Sequence, residues 1–159
     1  MKNIKIILIA VLFALMQVSI APYLSIWGAG LNLTLIFLII MMLNFRFEDS
    51  LIYAGIAGMI LDIYSPMRFG IYLFSFLLIY FLGYYIFKKI VSEQIFISVV
   101  LSFFISYMIV EFMAYMLNDG SLWIWMLSAG YTAIAGTVIY YISLGSFKSQ
   151  HKGYKLFDK

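Results

Sequence analysis

Six long apolar stretches dominate this sequence and restrict it to few kinds of fold. A helix needs roughly 20 mostly apolar residues to cross the hydrocarbon of a bilayer, and each stretch meets or approaches that length. Of all residues, 65% are hydrophobic and 11% are charged, whereas a soluble domain of this size could not bury so much apolar surface. The sequence therefore predicts an all-α integral membrane protein, a compact bundle of about six transmembrane helices. The predicted spans are residues 6–23, 30–45, 51–64, 69–87, 95–117 and 122–144.

The lengths of the second and third spans and the end of the first span lead to two further expectations. The second and third are short, so we expect them to borrow interfacial residues or to pair as a hairpin that does not cross completely. The first ends in a small-x-small pattern typical of signal-peptide cleavage, but Pro22 would follow the cut, where proline is poorly tolerated. We therefore expect an uncleaved first helix.

The basic residues fall mainly on one side of these spans. Arg68 is the one exception among the ten lysines and arginines. Cytoplasmic segments of membrane proteins carry an excess of Lys and Arg, so this bias predicts that both termini are cytoplasmic. The net positive charge then needs no nucleic acid as a partner. We expect a transmembrane domain at 1–147 and a basic cytoplasmic tail at 148–159, which could also touch anionic membrane lipids.

Several kinds of chemistry are poorly represented in the sequence. It has no cysteine, and its single histidine, His151, lies in the polar tail. Disulfides and thiolate sites are excluded, and we expect no histidine metal cluster. We find no phosphate-binding glycine loop and no nucleophile elbow. The nearest nucleophile and base are Ser65 and Asp62. We therefore expect no enzyme activity, no cofactor, no catalytic residues and no metal site.

Three charged residues stand out as a candidate site. Asp62 lies near the end of the third span and Glu111 within the fifth, although a charge inside a bilayer is costly. The predicted topology places both acids in the outer half of the membrane, and Arg68 follows in the next outward turn. These residues predict either a polar outer site for a substrate or protein partner, or a neutralised group that fixes helix packing.

Small and polar residues inside the spans predict close helix packing. Ala54, Gly55 and Gly58 line the third span, and similar stripes occur in the fifth and sixth. Such stripes favour internal packing, or form a groove for the transmembrane helix of another protein. We also expect Gln17, Asn32 and Asn44 to find internal hydrogen-bond partners. A further pattern is that the tryptophans lie at the outward ends of spans, where the headgroup layer favours them: Trp27, Trp123 and Trp125.

Residues 55–70 resemble the characteristic segment of the MreD family of rod shape-determining membrane proteins. In that family a glycine-rich helix ends in a Gly-x-x-x-Asp element, here Gly58 to Asp62. A short Ser/Pro turn with Pro66 follows, and Gly70 then opens the next apolar helix. Chain length, the early Pro22 and the basic tail are also similar, although the family's frequent proline before Asn32 is replaced by Gly-Ala-Gly-Leu.

The resemblance implies a noncatalytic subunit of the bacterial cell-elongation complex in the cytoplasmic membrane. It implies direct binding to MreC, action with MreB, and support of RodA and its class B penicillin-binding transpeptidase. The family also looks similar in architecture to the substrate-binding S-components of energy-coupling-factor transporters. The alternative function is therefore a substrate-binding membrane subunit of a small-molecule transporter, built around Asp62, Arg68 and Glu111.

Overall fold

Six α-helices and one short 3₁₀ turn form the architecture of the protein. The computed structural model describes residues 2–44, 47–65, 69–90, 96–115 and 122–148. The 3₁₀ turn, Ala21–Leu24, follows the first helix. The helices are α1 (Lys2–Ser19), α2 (Leu33–Asn44), α3 (Phe47–Tyr64), α4 (Ile71–Ile90), α5 (Phe96–Tyr115) and α6 (Leu122–Lys148).

The all-α class and the number of helices confirm the sequence prediction, but several helix ends differ. The first helix stops at Ser19, because Pro22 lies in the 3₁₀ turn that follows it. The second begins at Leu33 rather than at residue 30, and it has only 12 residues. The third was predicted too short: it begins at Phe47, because Glu48 and Asp49 form its first turn rather than a connection. Acidic residues are favourable at a helix N-terminus.

The short helix α2 is the centre of the molecule. It contacts all five of the other helices, and α3 packs between α1 and α4, α4 beside α5, and α5 beside α6. Apolar side chains on every side of α2 are almost completely buried, as a central helix requires. They are Leu35, Ile36, Leu38, Ile39, Ile40, Met41 and Met42.

The bundle buries several polar side chains, while the exposed side chains described on its last two helices are apolar or aromatic. The buried set includes hydroxyl-bearing residues from α2, α5 and α6, such as Thr34, Ser106 and Thr132. Every exposed side chain described on α5 and α6 is apolar or aromatic: Leu101, Ile105, Phe112, Trp123, Ile124, Met126, Ile134, Val138, Ile139, Tyr141 and Ile142.

Within the part of the chain that the structure describes, none of the helices is both long enough and apolar enough to qualify as a membrane crossing.

Close packing between α5 and α6 depends on one small residue. A Cβ placed on Gly136 of α6 would lie 2.6 Å from the ring of Phe103 on α5, so the glycine forms the socket for this buried ring. The predicted small-residue stripe of α6 thus serves internal packing at this position. Alanines Ala129 and Ala133 on the same helix are also buried.

Candidate functional site

Asp62 caps the helix that follows its own. It lies in the last turn of α3 with only 4% of its surface exposed. One carboxylate oxygen accepts the backbone N–H of Tyr72 at 2.9 Å, and the other accepts that of Leu73 at 3.0 Å. The first N–H groups of a helix lack partners within it, and negative charge is favourable there. Asp62 therefore joins α3 to the N-terminus of α4.

Two glycines make this cap possible. Gly58 lies one turn before Asp62 on the same face of α3, and a Cβ there would lie 2.7 Å from the Cα of Leu73. Gly70 has a φ of +102°, which L side chains rarely adopt, and its carbonyl accepts the N–H of Phe74 as α4 begins. We call Gly58, Asp62 and Gly70 the α3–α4 clamp.

A second group of polar side chains adjoins this clamp. The hydroxyl of Tyr107 on α5 lies 3.5 Å from the carbonyl oxygen of Gly30, and Glu111, one turn further on, is a hydrogen-bonding neighbour of the same tyrosine. The backbone N–H of Gly30 donates to Ser128 of α6 at 3.1 Å. Tyr72, whose backbone N–H binds Asp62, also has the carboxyl group of Glu111 as a neighbour. We call Tyr72, Tyr107, Glu111 and Ser128 the tyrosine cluster.

The structure thus brings two of the three predicted site residues to one end of the bundle. Asp62 is buried, whereas Glu111 is only half-buried. Arg68 and Pro66 lie outside the described residues, so the proposed pairing of Arg68 with either acid stays a prediction.

The predicted packing residues divide into two kinds. Ala54 is completely buried, and Gly58 meets the backbone of α4. Gly55 differs, because an added Cβ would find open space. It follows that Gly58 is required by the contact with α4, whereas Gly55 is not required by any neighbour that the structure describes.

The backbone that leads into α2 is held by side chains from other helices. Gln17 of α1 donates to the carbonyl of Leu31 at 3.0 Å and accepts the N–H of Leu33 at 2.6 Å. Asn32 caps α2 by accepting the N–H of Leu35 at 2.9 Å. Irregular backbone inside an apolar bundle requires such partners. The expectation of internal partners is therefore confirmed for Gln17 and Asn32; the side chain of Asn44 lies outside the described ones.

Sequence reasoning missed the residues of α6 that complete this network. The hydroxyl of Thr132 lies 3.4 Å from the backbone N–H of Asn32, and Ser128 reaches Gly30. These two residues are four apart, and so on one face, in a largely apolar helix. That spacing could have identified them in the sequence, because polar side chains on one face of such a helix need partners inside the bundle. Within the described residues, no group of three or more acidic, histidine or cysteine side chains is placed to hold a metal ion.

The fold and the site define a helical bundle whose apolar core contains a few hydrogen-bonded polar side chains, whose exposed surface along α5 and α6 is apolar, and whose α3 and α4 are joined by a carboxylate cap. A sequence model of the family described as rod shape-determining protein MreD matches residues 2–142. The chain belongs to the MreD family, as its resemblance in residues 55–70 predicts. The family is one of bacterial membrane proteins with a role in determining rod shape. No curated protein and no solved structure matches the chain, so the likeness to transporter S-components finds no support there.

Proposed function

We propose that this chain is a noncatalytic scaffold of the rod-shape complex in the bacterial cytoplasmic membrane. It binds MreC directly and, together with MreB, supports peptidoglycan synthesis by RodA and its class B penicillin-binding transpeptidase. The observation that carries the proposal is the family's Gly-x-x-x-Asp element, which forms the α3 side of the α3–α4 clamp. By joining α3 to the start of α4, this element fixes the ends of the connection between the two helices. A scaffold needs such a fixed surface to bind its partner.

The distribution of polarity supports a location within the bilayer. Hydroxyl groups on α6 point inward to Gly30 and Asn32, while the same helix exposes large apolar side chains such as Ile134 and Ile142. Lipid-exposed polar groups are costly, and apolar patches this extensive are rare on soluble monomers. The proposal therefore includes a bundle of about six helices in the membrane, of which the 12-residue α2 does not cross completely, with both termini and the tail at 148–159 in the cytoplasm.

The clamp also suggests where the partner binds. Asp62 and Gly70 hold the two ends of the connection between α3 and α4, and in the sequence this connection contains Pro66 and Arg68. Because the side chain of Asp62 is buried and both of its oxygens are occupied, it positions the connection rather than contacting the partner. We propose that Arg68 and the half-buried Glu111 make the direct contact with MreC.

Copurification with MreC from detergent-solubilised membranes tests this assignment. We expect wild-type protein to retain MreC, and Arg68→Ala and Glu111→Gln to lose it while their melting temperatures stay close to that of the wild type. Asp62→Leu should lower the melting temperature as well, because it leaves two backbone N–H groups of α4 without an acceptor. The exposed acid Glu48 provides a control on the same helix as Asp62, as Glu48→Gln.

The results distinguish failure of the scaffold proposal from a wrong assignment of the docking site. If wild-type protein fails to retain MreC, the scaffold proposal is wrong. If Arg68→Ala and Glu111→Gln both retain MreC normally, the docking site lies elsewhere on the bundle.

The tyrosine cluster favours one alternative function, a substrate-binding subunit of a small-molecule transporter. Its hydroxyl and carboxyl groups gather at one end of the bundle, as in a site that orients a ligand. A saturable rise in melting temperature on addition of a small molecule, abolished by Glu111→Gln, would favour transport over scaffolding.

A further inference from the structure

A tight turn between α1 and α2 contains an unexpected residue. Ile26 and Ala29 form an antiparallel pair with hydrogen bonds of 3.1 and 2.9 Å, and Trp27 and Gly28 form the two-residue loop between them. Both loop residues have positive φ, 53° for Trp27 and 81° for Gly28. This is the pattern of a type I′ turn, which strongly prefers Asn, Asp or Gly at its first central position.

Tryptophan is a poor choice for that backbone. Its Cβ crowds the backbone in the left-handed region, which makes positive φ unusual for a bulky residue. Burial does not compensate for this strain, because 90% of the surface of Trp27 is exposed. A strained residue that packs so little against its own chain points to a use for its side chain outside the chain.

The turn belongs to a larger exposed patch of aromatic and apolar side chains. Tyr23 is 89% exposed, and Trp123 at the start of α6 is 69% exposed. A Cβ at Gly28 would lie 4.0 Å from the Cδ1 atom of Ile124, so the turn sits beside the first turn of α6. We call Tyr23, Ile26, Trp27, Trp123 and Ile124 the Trp27 patch.

The composition and the borders of this patch indicate what covers it. None of its five residues is charged, and it continues to the exposed Ile20, just after the end of α1, and to the exposed Met126 of α6. Protein interfaces have a polar rim, whereas Trp and Tyr favour the headgroup level of a bilayer. Continuity with the apolar sides of the bundle therefore favours lipid over a protein partner.

We infer that the Trp27 patch is an interfacial anchor, which inserts the Trp27 turn into the headgroup layer at the outer surface of the membrane. The inference rests on the proposed membrane location of the bundle. The anchored turn leads directly to Gly30 and Asn32, whose backbone groups α5 and α6 hold. The anchor thereby sets the depth at which the central helix α2 begins.

Fluorescence quenching in vesicles of phosphatidylcholine and phosphatidylglycerol tests the anchor. In the variant Trp123→Phe/Trp125→Phe, Trp27 is the single tryptophan. We expect it to lose more fluorescence with lipids brominated near the headgroup than with lipids brominated near the chain ends, and to be shielded from aqueous acrylamide. The matched control replaces all three tryptophans by Phe and adds Ile134→Trp, a 68% exposed position in the middle of α6. The control should be quenched by the deep bromines.

The control separates failure of the anchor from failure of the membrane proposal. If Ile134→Trp responds to deep bromines while acrylamide alone quenches Trp27, the turn projects into water and the anchor is wrong. If neither tryptophan responds to brominated lipid, the membrane location is wrong as well. Tyr23→Cys, with an environment-sensitive label, repeats the measurement with all three tryptophans in place, because the chain has no other cysteine. Its emission should report an interfacial environment; a fully aqueous one contradicts the anchor.

Discussion

Two glycines three residues apart on α3 show how differently the same residue type can be used. Gly58 faces the backbone of Leu73 at a distance that no real Cβ would tolerate, whereas Gly55 faces open space. Backbone cannot move aside as the end of a long side chain can. Of the two glycines, only Gly58 allows α4 to approach α3 this closely. That approach in turn lets Asp62 reach the N–H groups of α4.

Alanine substitution at each glycine should therefore have opposite results. We expect Gly58→Ala to destabilise the protein by about 1–3 kcal/mol, because the helices must separate or shift. Gly55→Ala should be neutral or stabilising by up to about 1 kcal/mol, since alanine favours helix and meets no neighbour. Thermal unfolding in detergent measures both. Equal destabilisation by the two variants would contradict the close approach of α3 and α4 at Gly58.

Among the elements, α2 owes its position to groups outside its own sequence. Gln17 binds the backbone on both sides of Asn32, while Asn32, the residue just before α2, caps its first turn. A central helix of 12 residues has few turns of its own, so these bonds to its start fix its depth in the bundle. The two caps act on different N–H groups and can be tested separately.

Hydrogen exchange of individual amides tests this division. We expect Gln17→Leu to speed exchange at the amide of Leu33 and to cost about 1–3 kcal/mol, because the half-buried N–H of Leu33 loses its acceptor and the carbonyl of Leu31 loses its donor. Exchange at Leu35 should change little, since Asn32 accepts that N–H. Asn32→Ala should give the reverse pattern. Equal acceleration of both amides by both variants would indicate general unfolding of the segment instead of separate caps.

At the scale of the whole molecule, the apolar core contains buried polar side chains, and apolar side chains also cover much of the exposed surface. In the described part, the exposed side chains of α5 and α6 are all apolar or aromatic, while Ser106, Ser128, Thr132 and Thr137 on the same helices are buried. Together with the one-sided distribution of lysines and arginines in the sequence, this arrangement supports the orientation that we propose, with both termini in the cytoplasm.

Cysteine labelling of intact cells tests that orientation in a chain without native cysteines. We expect Asn118→Cys, in the predicted outward connection between α5 and α6, to react with a membrane-impermeant maleimide. Gln150→Cys, in the basic tail, should react only after the membrane is made permeable. Labelling of Gln150→Cys from outside intact cells would reverse the orientation and would place the proposed docking site on the cytoplasmic face.

The number of helices and the MreD segment could be predicted because they depend on local information. Runs of apolar residues form helices wherever the chain is buried in an apolar environment, and the positions of Gly58, Asp62 and Gly70 are a feature of the sequence itself. The end of α1 and the start of α3 were misplaced because apolar runs do not mark helix caps. Pro22 and the acidic pair Glu48 and Asp49 decide those boundaries.

The sequence by itself determined a six-helix chain with an apolar exterior and a Gly-x-x-x-Asp element, since periodicity and composition act along the chain. Only the tertiary structure decided what that element does. Asp62 was predicted to take part in an outer polar site or a neutralised ion pair, yet its oxygens bind N–H groups ten and eleven residues away. The tertiary structure likewise decided that α2 is central and that Ser128 and Thr132 bind the backbone leading into it. Those contacts join residues about a hundred positions apart, and no local pattern specifies which polar groups meet when helices pack.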